Sequence, residues 1–259
     1  AAGSFSTKNA HEILLATANA IHLYHPHPQD DPRLLLLATD KTFGTIRSLT
    51  TIRLPGASTD HVAVGSDSGR LAILAFDATK KAFTRVHCET FGKAGLRRVV
   101  PGQFIAADPK GRALLVGALE RQKFVYVVNR DAQARLTISS PLEAHRPHAL
   151  TLALVGVDVG YENPVFAALE VDTEEVRNDA ETGELLYEKQ LVYYELDLGL
   201  NHVVRKWADA VDPSANLLVA VPRGDDGPGG VLACSENLVV YRAPGHAERT
   251  RAPPPRPHA

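Results

Sequence analysis

Short apolar or alternating runs recur along nearly the whole chain, each about five to eight residues long and bounded by turn residues. Clear examples are 61–65, 70–76, 113–117, 123–128, 191–196 and 237–241. The runs are rich in Val, Ile, Tyr and Phe, which suit the pleated surface of a sheet. No stretch keeps the i, i+3, i+4, i+7 spacing of an amphipathic helix. The pattern predicts an all-β chain of about eighteen strands.

The spacing of two similar turns suggests how these strands are grouped. Gly69-Arg70 and Gly111-Arg112 each follow an acidic turn and open an apolar run, and 111 − 69 = 42 residues separate them. A repeat of about 40–45 residues with four strands is typical of a propeller blade. We therefore predict a WD40-like β-propeller with about four to five blades in this chain. A pair of β-sandwiches is the competing architecture.

Two segments break the strand pattern. The stretch at about 172–189 is strongly acidic, and we expect it to form a solvated loop between strands. The tail 252–259 is rich in proline, favours polyproline II and should lead toward further blades. The predicted organisation is therefore a run of leading propeller blades over 1–251, followed by the Pro-rich tail 252–259.

Composition narrows the class of function. The chain has 259 residues and a formal net charge of −2, whereas proteins that bind phosphate backbone without sequence preference are usually basic. Cys88 and Cys234 stand alone, which fits a reducing compartment and no zinc ribbon. The longest strongly apolar run, 34–38, is far shorter than the roughly 20 residues of a membrane span. We expect neither a direct nucleic-acid site nor a membrane association.

Candidate chemistry is sparse. The histidines at 22, 25 and 27 lack an obvious fourth metal ligand, so surface histidines are the favoured interpretation. The glycine cluster 224–230 lacks the Gly-Lys-Ser/Thr of a phosphate loop and is interpreted as a connection between strands. Asp67 and Asp108 occupy equivalent turns, where capping is favoured over a catalytic pair. We predict no catalytic residue, no metal and no cofactor.

Longer stretches of the chain resemble one known family. They are 43–49, 64–70, 89–93, 97–104, 108–113, 129–145, 155–164 and 194–206. These stretches resemble the first β-propeller of the large triple-propeller subunit of splicing factor 3b, a component of the U2 small nuclear ribonucleoprotein. The resemblance runs from about residue 12 to about residue 257. The large subunits of the UV-damaged-DNA-binding complex and of the cleavage and polyadenylation factor look similar over less of the chain.

The resemblance implies a fold and a role. The family's first propeller has seven blades, so this chain would be its leading part, and as an open fragment it would be marginally stable alone. Family members are nuclear scaffolds rather than enzymes, and they support branch-site recognition in pre-mRNA splicing. The implied partners are the HEAT-repeat subunit and small subunits of splicing factor 3b and the remaining propellers of the same parent chain, with U2 RNA contacted indirectly. The alternative is an adaptor of a related branch, either in a cullin ubiquitin ligase or in mRNA 3′-end processing.

Six residues are candidates for protein contacts. The basic segment 93–98 could hold an acidic surface, although a solvated loop is the simpler interpretation. Further candidates lie in the matching stretch 129–145. The full set is Lys93, Arg97, Arg98, Arg135, Glu143 and His145.

Overall fold

The computed structural model describes residues 1–27, 33–42, 44–90, 102–133, 135–178, 183, 185–225, 227–243 and 249–252, and these residues form strands without any helix. The prediction of an all-β chain is therefore confirmed. The described ranges contain twenty-three strands, which is more than the sequence pattern predicted. The surplus includes four strands of two residues, which are too short to leave an apolar pattern.

The chain divides into two compact units, the first of which spans Ala1–His145 and contains three antiparallel sheets. Sheet 1 has the order β1 (Ala2–Gly3), β2 (Glu12–Thr17), β3 (Ala20–Pro26) and β4 (Leu34–Lys41). Sheet 2 has the order β5 (Ile46–Ile52), β6 (His61–Ser66), β7 (Arg70–Asp77) and β8 (Ala82–Thr90). Sheet 3 contains β9 (Phe104–Ala107), β10 (Ala113–Gly117), β11 (Lys123–Arg130), β12 (Leu136–Ile138) and β13 (Leu142–Glu143), in which β12 and β13 both pair with β11.

The second unit spans Arg146–Ala259 and contains two larger sheets and a small ribbon. Sheet 4 is formed by β14 (Ala149–Val157), β15 (Val165–Asn178), β16 (Leu185–Asp197) and β17 (His202–Ala210). Sheet 5 joins β18 (Leu217–Ala220) to β21 (Val231–Cys234), β22 (Val239–Arg242) and β23 (Arg249–Arg251). The ribbon pairs β19 (Arg223–Gly224) with β20 (Gly227–Pro228) inside the glycine-rich connection.

Each of the five sheets is built on an antiparallel run of four strands, which is the blade unit of a β-propeller. Three blades lie in the first unit and two in the second. The two turns whose spacing suggested this arrangement depend on glycine. Gly69 and Gly111 both have φ of 72°, and a Cβ on Gly111 would stand 1.9 Å from the backbone oxygen of Arg53. The prediction of a partial propeller with four to five blades is confirmed, with five present.

The apolar cores lie between consecutive sheets within each unit. Leu14 and Leu23 of sheet 1 pack with Val64 of sheet 2, and Ile73 of sheet 2 belongs to a second core with Leu114 of sheet 3. In the second unit, one core joins sheets 4 and 5. Because each sheet buries apolar residues against its neighbour, the blades within a unit stabilise one another.

The prediction of a solvated loop at 172–189 is wrong for most of that segment. Strand β15 continues to Asn178 and β16 begins at Leu185, with a register shift between Val171 and Val176. The backbone pairing resumes at Val176, which lies opposite Tyr187.

Two acidic residues in this segment also have basic partners. Asp172 forms an ion pair with Arg146, and Glu174 lies 3.1 Å from His148. The ion pair of Asp172 with Arg146 offsets part of the self-repulsion on which the loop prediction rested. Of the tail 252–259, all but its first residue lies outside the described residues, so its role stays a prediction.

Candidate protein-binding surface

Only three of the six predicted contact residues lie in the part of the chain that the structure describes. Lys93, Arg97 and Arg98 lie outside the described residues. Arg135, Glu143 and His145 belong to the last part of the first unit. Among the described residues, no hydrogen bond or ion pair connects Arg135 with Glu143 or His145.

Arg135 closes the turn between β11 and β12. Its backbone N–H donates to Asp131 Oδ1 at 2.9 Å, and its Nε donates to Asp131 Oδ2 at 2.7 Å. These backbone and side-chain hydrogen bonds lower the pKa of Asp131. The side chain of Arg135 is 75% exposed, so the guanidinium both caps the turn and remains accessible to a partner.

His145 has a structural role at the end of sheet 3. Its Nδ1 lies 3.1 Å from the backbone nitrogen and 2.9 Å from the backbone oxygen of Lys123, so either tautomer forms a hydrogen bond there. The ring also packs edge-on against Phe124, with 4.7 Å between centroids. Glu143 is exposed on β13, where it pairs with Phe124. Both neighbouring candidates are exposed.

The residues considered for catalysis have structural partners. Asp108 accepts hydrogen bonds from the backbone N–H and the guanidinium of Arg112, at 2.8–3.0 Å. Asp67 accepts a hydrogen bond from the backbone N–H of Thr45 at 2.8 Å and another from the guanidinium of Arg47 at 3.2 Å. Both carboxylates hold the backbone of a loop in place, as the capping interpretation predicts.

A buried polar network in sheet 4 looks chemically active but is arranged as a structural contact. The hydroxyl of Tyr194 donates to the Glu170 carboxylate, with oxygen distances of 3.0 and 3.1 Å, and both residues are buried. Burial, followed by the charge of Glu170, raises the pKa of Tyr194. The tyrosine thus stays protonated and serves as a hydrogen-bond donor.

A metal site is not found in the described part of the chain, where no three His, Cys, Asp or Glu side chains converge. His22 instead contacts two hydroxyls, those of Thr17 at 3.1 Å and Thr39 at 3.0 Å. No helix long and apolar enough to cross a membrane occurs in the described ranges.

One apolar surface of the first unit was not predicted from the sequence, and we call it the open face of sheet 1. Side chains alternate along β2, so that Leu14 is 2% exposed while Ile13 and Leu15 are 43% and 51% exposed. The register places Tyr24 opposite Ile13 and Leu36 opposite Tyr24 on the same face. Leu36 is 54% exposed.

Isolated exposed apolar residues are ordinary, but a contiguous patch on one sheet face is typical of a protein-contact surface. The apolar residues on both faces of the run 12–17 were the sequence signal that could have revealed it. The same run indicates a strand, and by itself it does not show which face remains uncovered.

Five antiparallel blades, an uncovered apolar sheet face and carboxylates engaged in loop capping define a propeller module suited to binding proteins. The family model described as "RSE1/DDB1/CPSF1 first beta-propeller" matches residues 1–259. The chain belongs to this family, and the resemblance noted from its sequence is confirmed.

Several relatives are similar over nearly the whole chain. Splicing factor 3B subunit 3 of Danio rerio is 52% identical over 256 residues, which are 98% of this chain and 21% of that protein. Spliceosome-associated protein 130 A of Arabidopsis thaliana is 52% identical over 248 residues, covering 95% of this chain and 20% of that protein. Pre-mRNA-splicing factor rse1 of Neurospora crassa is 52% identical over 98% of this chain and 21% of its own length. The chain thus spans about a fifth of the length of the curated relatives it matches.

Proposed function

We propose that this chain is part of a non-catalytic protein–protein scaffold of the splicing factor 3b complex, acting in the U2 particle during branch-site recognition and spliceosome assembly. The observation that carries the proposal is the identity of about half of all positions to splicing factors over 95–98% of the chain. The proposed compartment is the nucleus, and U2 RNA would be contacted indirectly.

The physical character of the blades supports a scaffold role. Rigid sheets lose little conformational entropy on binding, so more of the interaction free energy remains for affinity. The net charge of −2 also suits contacts with proteins better than with nucleic-acid backbone.

We further propose that the open face of sheet 1 is covered by another part of the same protein, and that the assembled propellers hold a HEAT-repeat subunit and small subunits of the complex. The relatives are about five times as long as the matched region, so a covering segment of this kind is available in proteins of their length. Leaving Ile13, Leu15 and Leu36 in water would forgo roughly 25 cal/mol for each Å² of apolar surface that could be buried.

Affinity purification of the natural-length protein from nuclear extract tests the function. The expected result is recovery of U2 RNA together with a HEAT-repeat protein. Recovery of a cullin, or of 3′-end processing factors, without U2 RNA would contradict the proposal and favour the adaptor alternative.

A paired variant tests the role of the open face in the same experiment. Ile13→Glu with Leu15→Glu places two charges on the uncovered face and should reduce recovery of the partners at least about tenfold, because buried unpaired charges are costly. Leu200→Glu is the matched control, since Leu200 is 78% exposed in a turn. Equal recovery with both variants would contradict the proposed covering of the open face.

A further inference from the structure

A cleft of about 350 Å³ lies between sheets 1 and 2 of the first unit. Its apolar lining comes from β3, β6, β7 and β8, namely Ile21, Val64, Ala72, Leu74 and Phe83. Asp40 near the end of β4 links the two sheets, because its Oδ2 accepts the backbone N–H of Phe83 at 2.7 Å. The cleft therefore has an apolar interior held by a fixed contact between two outer strands.

Three cationic side chains line the same cleft. They are Lys41 at the end of β4, Arg70 at the start of β7 and Arg85 on β8, and all three residues are exposed. None of the three forms a hydrogen bond or an ion pair with another described residue. Asp40 supplies the one carboxylate in the lining, so the cleft carries an excess of positive charge.

Two other arginines of the first unit differ in this respect. Arg53 forms an ion pair with Asp60, and Arg112 forms one with Asp108. The chain as a whole is slightly acidic, which makes a local group of cations without described partners more distinctive. Such a group favours a ligand that brings its own negative charge.

From these observations we infer that the cleft binds an acidic peptide segment of a partner protein, with one apolar side chain in the interior and flanking carboxylates against Lys41, Arg70 and Arg85. A peptide fits better than RNA because the interior is lined by aliphatic residues. The aromatic ring in the lining of the cleft is that of Phe83, and it already packs edge-on against Phe76 with 5.2 Å between centroids. It therefore does not offer a free face on which a base could stack. Binding of such a peptide does not depend on the proposed role in splicing.

A fluorescent peptide of sequence EDELFDED tests the site by direct binding to the natural-length protein. A peptide with the two central apolar residues replaced by serine and glycine, EDESGDED, and a basic peptide, KKKLFKKK, serve as matched probes. We expect EDELFDED to bind, EDESGDED to bind at least about tenfold more weakly because the apolar contribution is lost, and KKKLFKKK not to bind. Affinity should fall as salt rises.

Charge reversal assigns the binding to these cations. Arg70→Glu with Arg85→Glu should weaken EDELFDED at least about tenfold, because two attractions become repulsions. Arg249→Glu with Arg251→Glu makes the same change of charge on β23, at exposed positions that do not line the cleft, and should leave affinity unchanged. Equal weakening by both double variants would overturn the assignment.

Cysteine labelling locates the bound peptide independently of mutation. Cys88 lines the cleft, whereas Cys234 lies on β21 of the second unit, and both are partly exposed free thiols. Saturating EDELFDED should slow maleimide labelling at Cys88 at least about fivefold, following the fraction of sites occupied, and leave Cys234 unchanged. Unaltered labelling at Cys88, or displacement of the peptide by an octamer of uridylate that itself protects Cys88, would overturn the inference.

Discussion

Strands β15 and β2 carry similarly apolar residues but differ in what covers them. In β15, Phe166, Ala167 and Ala168 are all fully buried, so both faces of this strand are covered. In β2, Leu14 is buried while its neighbours Ile13 and Leu15 are about half exposed. A strand inside a layered fold can be apolar on both faces, whereas a strand with one solvent-facing side usually alternates apolar and polar residues.

Apolar patterning therefore identifies a strand but does not determine what covers its faces. An apolar residue on an uncovered face signals a contact that a larger assembly could provide. Phe166 contributes to the stability of the fold, whereas Leu15 lies on a surface that could contact another part of the protein. Substitutions test this difference between covered and uncovered residues. Their expected effects on stability decrease in the order Leu14, Tyr194 and His61.

Leu14→Ala and Leu15→Ala form a matched pair of neighbours on β2. Leu14→Ala should lower the free energy of unfolding by about 2–5 kcal/mol, because it leaves a cavity in the core between sheets 1 and 2. Leu15→Ala should change it by no more than about 0.5 kcal/mol in the chain alone. Urea unfolding followed by circular dichroism measures both, and similar losses would contradict the description of β2 as half uncovered.

Tyr194→Phe tests the buried network of sheet 4. Removing the hydroxyl deprives the buried Glu170 carboxylate of a donor, and the free energy of unfolding should fall by about 1.5–3 kcal/mol. Trp207 is the one tryptophan of the chain and stacks 5.0 Å from Tyr193 in the same sheet, so its fluorescence reports the unfolding.

Tyr161→Phe is the control for that substitution, because Tyr161 is 88% exposed and its replacement should have little effect. If the two variants were equally stable, the hydrogen bond of Tyr194 would contribute nothing measurable.

We expect His61 to have a smaller effect on stability, and one that depends on pH. Burial lowers the pKa of His61 below its ordinary value of 6.5, so the unfolded chain binds a proton more readily than the folded one. The contribution of His61 to stability is therefore complete above pH 6.5 and declines as the pH falls toward its folded pKa.

His61→Gln should reduce this loss of stability between pH 7 and pH 5.5, while His11→Gln, at an exposed position, should leave the slope unchanged. Thermal unfolding over this pH range provides the measurement. A slope that is the same for wild type and His61→Gln would contradict the assignment.

Much of the fold was predictable from local chemistry. Alternating apolar residues and turns such as Asp67-Ser68-Gly69 act over a few positions, so a sequence displays them directly. The positive φ of Gly69 and Gly111 explains why a glycine recurs at the 42-residue spacing.

The strand structure of the acidic segment at about 172–189 was not predictable in the same way. Strands β15 and β16 continue into this segment because they extend a pairing that starts in the buried part of sheet 4. In addition, Asp172 forms an ion pair with Arg146, which is 172 − 146 = 26 residues away in the sequence. Pairing register and distant ion pairs depend on the folded arrangement, whereas charge density along the sequence indicated only a solvated segment.

The candidate surfaces show the same limitation. Proximity in sequence favoured the cations Lys93, Arg97 and Arg98, which lie outside the described residues. Lys41, Arg70 and Arg85 come from three different strands and meet at one cleft only after sheets 1 and 2 pack together. No short sequence window contains that group.

Carbene footprinting of the natural-length protein measures how accessible Leu15 is in the assembled molecule, and it therefore shows whether the open face of sheet 1 is covered. If the open face of sheet 1 is covered, Leu15 should be labelled as weakly as the buried Leu14, while Leu200 is labelled strongly. Labelling of Leu15 in proportion to its 51% exposure in this structure, between Leu14 and Leu200, would show that the open face is not covered.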